Sequence, residues 1–97
     1  GFDCSGYVCW VYNQNGYDVG RTTANGLWQK SQHISEAEAK PGDLVFFKGT
    51  YDTPGMSHTG IYLGNGMMVS AGDPIKYANI HSSYWEKHLA GLGRLSK

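Results

Sequence analysis

The sequence predicts an α+β fold, with helices first and an antiparallel sheet after them. Three observations carry this. Cys4, Val8, Val11 and Tyr12 fall at i, i+4, i+7 and i+8, the spacing of one helix face. From residue 43 the pattern changes to short apolar runs, Asp43-Leu44-Val45-Phe46-Phe47-Lys48 and His58-Thr59-Gly60-Ile61-Tyr62-Leu63, each of strand length. Gly64-Asn65-Gly66 then joins the second run to Met67-Met68-Val69-Ser70-Ala71, which is a strong hairpin signal.

Taken in order, the first helix opens at Asp3, whose carboxylate can cap the free N–H groups of the first turn. Asn15-Gly16 ends it, because glycine tolerates the left-handed conformation found at helix C-termini. Tyr17 to Arg21 reads as a loop. Thr22 or Thr23 caps a second helix that carries Ala24, Leu27, Trp28 and Ser31 on one face, with His33 at its end. Ser35 and Glu38 match a capping box for a single turn before Pro41-Gly42. The run at 43–48 is a central strand. Gly49 to Ser57 is a loop, and the hairpin follows. Gly72-Asp73-Pro74 turns the chain into a fourth strand over Ile75–Ile80. Ser83 and Glu86 form a second capping box, which opens a helix through Trp85 and Leu89. Gly91 to Leu95 closes the sheet.

The chain has 97 residues, room for one domain (1–97) and one core. Eight basic and eight acidic residues cancel, which excludes the basic surface that nucleic-acid binding needs. No apolar run approaches the roughly 20 residues of a membrane span. The chain opens inside a motif, so it reads as part of a longer protein lacking its upstream segment. Cys4 and Cys9 sit about 140° apart around one helix, too divergent for a disulfide and too few for a zinc site. Cys9 reads as a packed core residue. The four histidines lack ligand spacing, so no metal and no organic cofactor are expected.

A cysteine is ordinarily a small core hydrophobe. Cys4 stands apart because it occupies the first position of a helix, where unpaired N–H groups and the helix dipole favour a thiolate. Such a nucleophile needs a base. His33 and His88 read as solvated. His58 begins a strand beside a glycine-containing loop and shares a sheet face with Gly60 and Tyr62. If Leu63 pairs with Met67, Gly60 opposes Ser70 and His58 opposes Gly72. Ser70 is then a diagonal neighbour of His58, roughly 7–8 Å away between Cα atoms. A slip of one residue would move Ser70 to the other face. Serine is a short orienter and can act through a water.

Four segments together resemble the NlpC family of bacterial cell-wall cysteine peptidases: Phe2-Asp3-Cys4-Ser5-Gly6, Arg21-Thr22-Thr23, Pro41-Gly42-Asp43-Leu44-Val45-Phe46-Phe47, and His58 through Gly66. The resemblance implies a compact papain-like fold, with the N-terminal helix bearing the nucleophile packed on the antiparallel sheet. It implies hydrolysis of peptidoglycan stem peptides between γ-D-glutamate and the following diamino acid, with Cys4 as nucleophile and His58 as base. It further implies that Asp3 and Ser5 help hold the free amino end of the L-alanine, while Arg21, in the loop at Arg21–Thr23, helps shape the substrate cleft. The setting would be extracellular or wall-associated, and the chain is expected to be a monomer. The family's third catalytic position is usually His, Asn, Gln or Glu. Here it is Ser70, leaving Ser70, a water, Asp73 or His81 to orient His58. A muropeptide-binding module with impaired catalysis, or an amidase or acyltransferase on the same scaffold, are the alternatives.

Overall fold

The computed structural model describes residues 4–70 and 76–96. Helix α1 spans Cys4–Gln14 and stops at Asn15-Gly16, where Gly16 takes φ 86°. Its buried residues are Ser5, Gly6, Val8, Cys9 and Tyr12. The buried face is therefore turned further toward Ser5 and Cys9 than the spacing of Val8 and Val11 suggests, and Val11 is only partly buried. Cys9 has the packing role expected of it, 1% exposed with Sγ 3.9 Å from the Thr22 carbonyl. Helix α2, Ala24–Lys30, is capped by Thr23, whose hydroxyl accepts from the Gly26 N–H at 3.0 Å.

Strand β1, Gln32–Ile34, stands where the sequence suggested a helix end. His33 consequently lies in a strand, its ring stacked on Trp28 at 3.4 Å between centroids. A 3-10 turn at Glu36–Glu38 carries the predicted Ser35–Glu38 capping box in full. The remaining elements are β2 (Leu44–Lys48), β3 (Met56–Gly64), β4 (Met67–Ser70), β5 (Lys76–Asn79), α3 (Ser83–His88) and β6 (Leu89–Arg94). The N-cap position of α3 is held by Ser82 and not by Ser83, and the Ser82 side chain makes no capping bond. The Ser82 hydroxyl donates to the Asn79 carbonyl at 2.8 Å, so the box expected from Ser83 and Glu86 does not form.

Among the described residues the sheet has six strands in the order β1-β6-β2-β3-β4-β5, each neighbouring pair antiparallel. The meander β2 to β5 is as predicted. The last strand does not close the sheet but lies inside it, between β1 and β2. Ile61 pairs with Val69 and Tyr62 with Met68, which is the predicted register. The pair Leu63–Met67 is not made. An irregularity after Tyr62 sets Gly64 opposite Met67, and Gly64, Asn65 and Gly66 all take positive φ. β3 also begins at Met56, within the segment read as loop.

Strand alternation divides the sheet into two apolar faces. One carries Leu44, Phe46, Ile61 and Val69 and packs against Val8, Tyr12 and Leu27 of α1 and α2. The other carries Val45, Phe47, Tyr62, Met68 and Leu92, with Trp85 of α3 packed against it. A sheet covered on both sides explains why β2 reads as an unbroken apolar run rather than an alternating one.

Candidate active site

Cys4 is the first residue of α1 and is partly exposed. Its thiol donates to the Ser57 carbonyl across 4.0 Å. Ser57 immediately precedes His58, so the mouth of the helix meets the strand one residue from the predicted base. That stretch of β3 is held firmly. Ser57 is 1% exposed; its hydroxyl accepts from the Thr50 N–H at 3.0 Å and meets the Thr50 hydroxyl at 2.6 Å. Packing of Val8 and Tyr12 beside Ile61 and Met56 sets α1 against the sheet at this position.

His58 pairs with Phe47 across β2 and β3. Its imidazole lies 5.8 Å from the Phe47 ring and 4.9 Å from the Trp85 indole, and those two rings are 4.8 Å apart. Nε2 is buried and has no hydrogen-bond partner among the described residues. Burial pushes the pKa of His58 down to about 4, because a charged imidazolium would lose its hydration there. The ring is thus neutral at neutral pH, and burial makes its protonation costly.

Ser70 lies buried at the end of β4, 4% exposed. It is on His58's face, as the register predicts: a methyl placed on Gly60 would stand 3.4 Å from Ser70 Cβ and 2.8 Å from Met68 Sδ. The Met68 thioether fills the space over Gly60, with the Val69 carbonyl 3.1 Å from the same point, so only a glycine fits there. No bond joins the Ser70 hydroxyl to His58 Nε2. His81, the other candidate orienter within the described residues, is committed elsewhere. Its Nε2 is 2.7 Å from Glu36 and its Nδ1 3.6 Å from Glu86. It sits beside Gly66 at the hairpin, about 20 Å along β3 from His58 at ~3.3 Å per residue. The Glu36 hydrogen bond raises the pKa of His81 above its ordinary value. Asp73 lies outside the described residues.

Two of the predicted substrate contacts meet each other. Arg21 Nη1 donates to the Ser5 hydroxyl at 3.3 Å and to the Thr22 carbonyl at 2.6 Å. Ser5 is 6% exposed, whereas Arg21 is exposed. Asp3 lies outside the described residues. The loop at 49–55 is tied to α2, where Asn25 Oδ1 accepts from the Met56 N–H at 3.1 Å. Among the described residues no three His, Cys, Asp or Glu side chains are grouped to hold a metal. Sequence reading missed the two rings around His58. Trp85 appeared only as part of a short helix and Phe47 as core, and neither spacing points toward residue 58.

The sequence pattern of the NlpC/P60 family matches residues 1–94. Over 95 residues the chain is 50% identical to the "Probable endopeptidase p60" of Listeria monocytogenes, a match covering 97% of this chain and 19% of that protein. Over 96 residues it is 46% identical to the "Bifunctional muramidase/DL-endopeptidase CwlT" of Bacillus subtilis, covering 98% of this chain and 29% of that one. The chain thus spans well under half of these curated relatives. A crystal structure from Staphylococcus aureus, described as similar to lipoprotein and of the NLP/P60 family, superposes with a TM-score of 0.93 at 41% identity, covering 99% of this chain and 32% of that one. RipD of Mycobacterium tuberculosis superposes with a TM-score of 0.78 at 25% identity, covering 99% and 68%. It is described as a non-catalytic NlpC/p60 domain protein adapted to peptidoglycan binding.

Proposed function

The chain belongs to the NlpC/P60 family, and from that premise we propose that it is a cysteine endopeptidase acting on peptidoglycan stem peptides at the γ-D-glutamyl–diamino acid bond. The observation that carries this reading is the thiol of Cys4 at the mouth of α1, 4.0 Å from the residue that precedes His58. Because Nε2 is buried, Nδ1 is the nitrogen left to receive the thiol proton. The Cys4 sulfur bonds to the γ-carbonyl carbon, and backbone N–H groups at the start of α1 hold the oxyanion. The C–N bond then breaks as His58 returns its proton to the departing amine. Water, deprotonated by His58, attacks the thioester, the C–S bond breaks, and the thiol is restored. Asp3 and Ser5 receive the free amino end of the L-alanine, and Arg21, which donates to the Ser5 hydroxyl, shapes the cleft beside them. The working place is the outside of a bacterial cell or its wall, and the working form is a monomer.

Two observations favour a second reading. Among the described residues His58 Nε2 has no partner, and residue 70 is a serine, which suits a stem-peptide-binding module of the kind RipD is described to be. Defined tripeptide and tetrapeptide stems, digested and analysed by mass spectrometry, separate the two. Cleavage at the γ-D-glutamyl bond is expected, falling at least about 10³-fold in Cys4→Ser and in His58→Ala. Turnover retained in either variant removes its residue from the mechanism. Stem-peptide binding without products from the wild type establishes the module instead.

A further inference from the structure

We propose that Trp85 is a positioning residue for His58: with Phe47 it forms an aromatic clamp that sets the plane of the imidazole and keeps water from its Nε2 side. This deepens the reading of His58 as base and rests on it. A catalytic imidazole is ordinarily oriented by a hydrogen bond at its second nitrogen. Here Nε2 is buried and has no such partner among the described residues. Within the described residues orientation comes from packing, and the rings supply it.

The three rings lie within 4.8–5.8 Å of one another, and the indole is inclined only 31° to the imidazole. Phe47 is fully buried on β2 directly across from His58 and cannot yield. Trp85 is anchored from both ends of α3. Toward the N-terminus the Ser82 carbonyl accepts from the Glu86 N–H at 2.8 Å, and Ser82 is tied back to Asn79. Toward the C-terminus His88 Nδ1 bonds the Lys48 carbonyl at 2.8 Å, on the strand that carries Phe47. The Tyr84 ring stands nearly perpendicular to the indole, 4.9 Å away.

Among the described residues no charge stands in for the rings. On α3, Glu86 faces His81, Lys87 is exposed, and His88 is held by Lys48. On β2, Lys48 is exposed; on α1, Cys4 reaches Ser57. Among the described residues burial is the cause of the depressed pKa of His58. Removing the indole should therefore return His58 toward its ordinary titration.

The test follows His58 by NMR in the wild type, Trp85→Ala and Trp85→Phe, and compares the pH profile of kcat/KM on a defined stem peptide. In Trp85→Ala the His58 midpoint should rise by about one unit or more, and the acidic limb of kcat/KM should move with it. Trp85→Phe should retain most of the wild-type behaviour. Where the alanine variant does not fold, Trp85→Leu keeps the bulk without the flat ring, and kcat should fall about tenfold with KM little changed. An unmoved midpoint and limb in folded Trp85→Ala, or full kcat in Trp85→Leu, overturns the clamp and leaves the hydrolase reading intact. A shifted midpoint in a protein whose wild type yields no product overturns the hydrolase reading instead.

Discussion

Protonating His58 would put a cation between two aromatic rings with one N–H unpaired, and two opposing effects decide how hard that is. An imidazolium over an indole gains ~0.5–2 kcal/mol. Burial outweighs this: a fall from the ordinary 6.5 to about 4 corresponds to about 3 kcal/mol. The sign of the pH effect follows. The unfolded chain takes up the proton first, so the stability owed to neutral His58 is complete above about pH 6.5. It drains away as the pH falls toward about 4 and is constant below that. Urea unfolding between pH 7 and 4 should show the wild type losing about 2–3 kcal/mol more than His58→Asn. Parallel curves for the two proteins would mean that the imidazole is hydrated and the clamp open. At this scale the sequence revealed much. The place of Cys4 at a helix start and of His58 on a strand was legible, because both are local patterns, although β3 starts two residues earlier than read. The surroundings of His58 were not, since Trp85 arrives from 27 positions away on a helix whose docking no local pattern encodes.

Single elements show where local signals succeed and where they stop. The Thr23 cap and the Ser35–Glu38 box form as read, because each is complete within four residues. β1 was illegible for the opposite reason. Three residues are too few for a periodicity, and the strand exists only because it pairs with β6, some 60 positions later. The loop before β3 belongs with these long-range cases. Asn25 on α2 accepts from the Met56 N–H, and Gly55 next to it takes φ +72°. A methyl on Gly55 would stand 2.8 Å from Asn25 Cγ. Asn25→Ala should destabilise by ~1–3 kcal/mol, by leaving the Met56 N–H without its acceptor. Gly55→Ala should lose a similar amount, because the left-handed conformation alone costs ~1–2 kcal/mol for a residue with a Cβ. Hydrogen exchange should locate the added exposure at 49–57 in both variants. Unchanged exchange there, with unchanged urea midpoints, would mean that α2 does not hold the loop.

The described residues form a sheet sandwiched between two helical layers, and its middle strands are tied by a charge pair whose carboxylate is buried. Asp43, 6% exposed and immediately before β2, receives Arg94 Nε at 3.0 Å and Arg94 Nη2 at 2.8 Å, together with the Lys40 N–H at 2.8 Å. Arg94 Nη2 also donates to the Glu38 carbonyl at 3.1 Å, so one guanidinium joins β6, β2 and the 3-10 turn. Burial alone would raise the pKa of Asp43. The Arg94 and Lys40 hydrogen bonds overcome it and hold the carboxyl below its ordinary value. Its stabilising effect is therefore full above about pH 4 and is lost as the pH falls through the depressed folded value. The pair matters more for what remains when it is broken than for its own strength. Arg94→Ala strands a buried carboxylate and should destabilise by ~2–3 kcal/mol at pH 7, discounted because the Arg94 side chain is 39% exposed. In that variant acid should relieve the strain: stability relative to wild type should improve as the pH drops and Asp43 becomes neutral. The double variant Asp43→Asn/Arg94→Ala should recover part of the loss at pH 7. Thermal and urea unfolding at pH 7 and pH 4 read all three expectations together. A loss under ~0.5 kcal/mol in Arg94→Ala, equal at both pH values, would show that water reaches Asp43 and that β6 is held in the sheet by its backbone pairing alone.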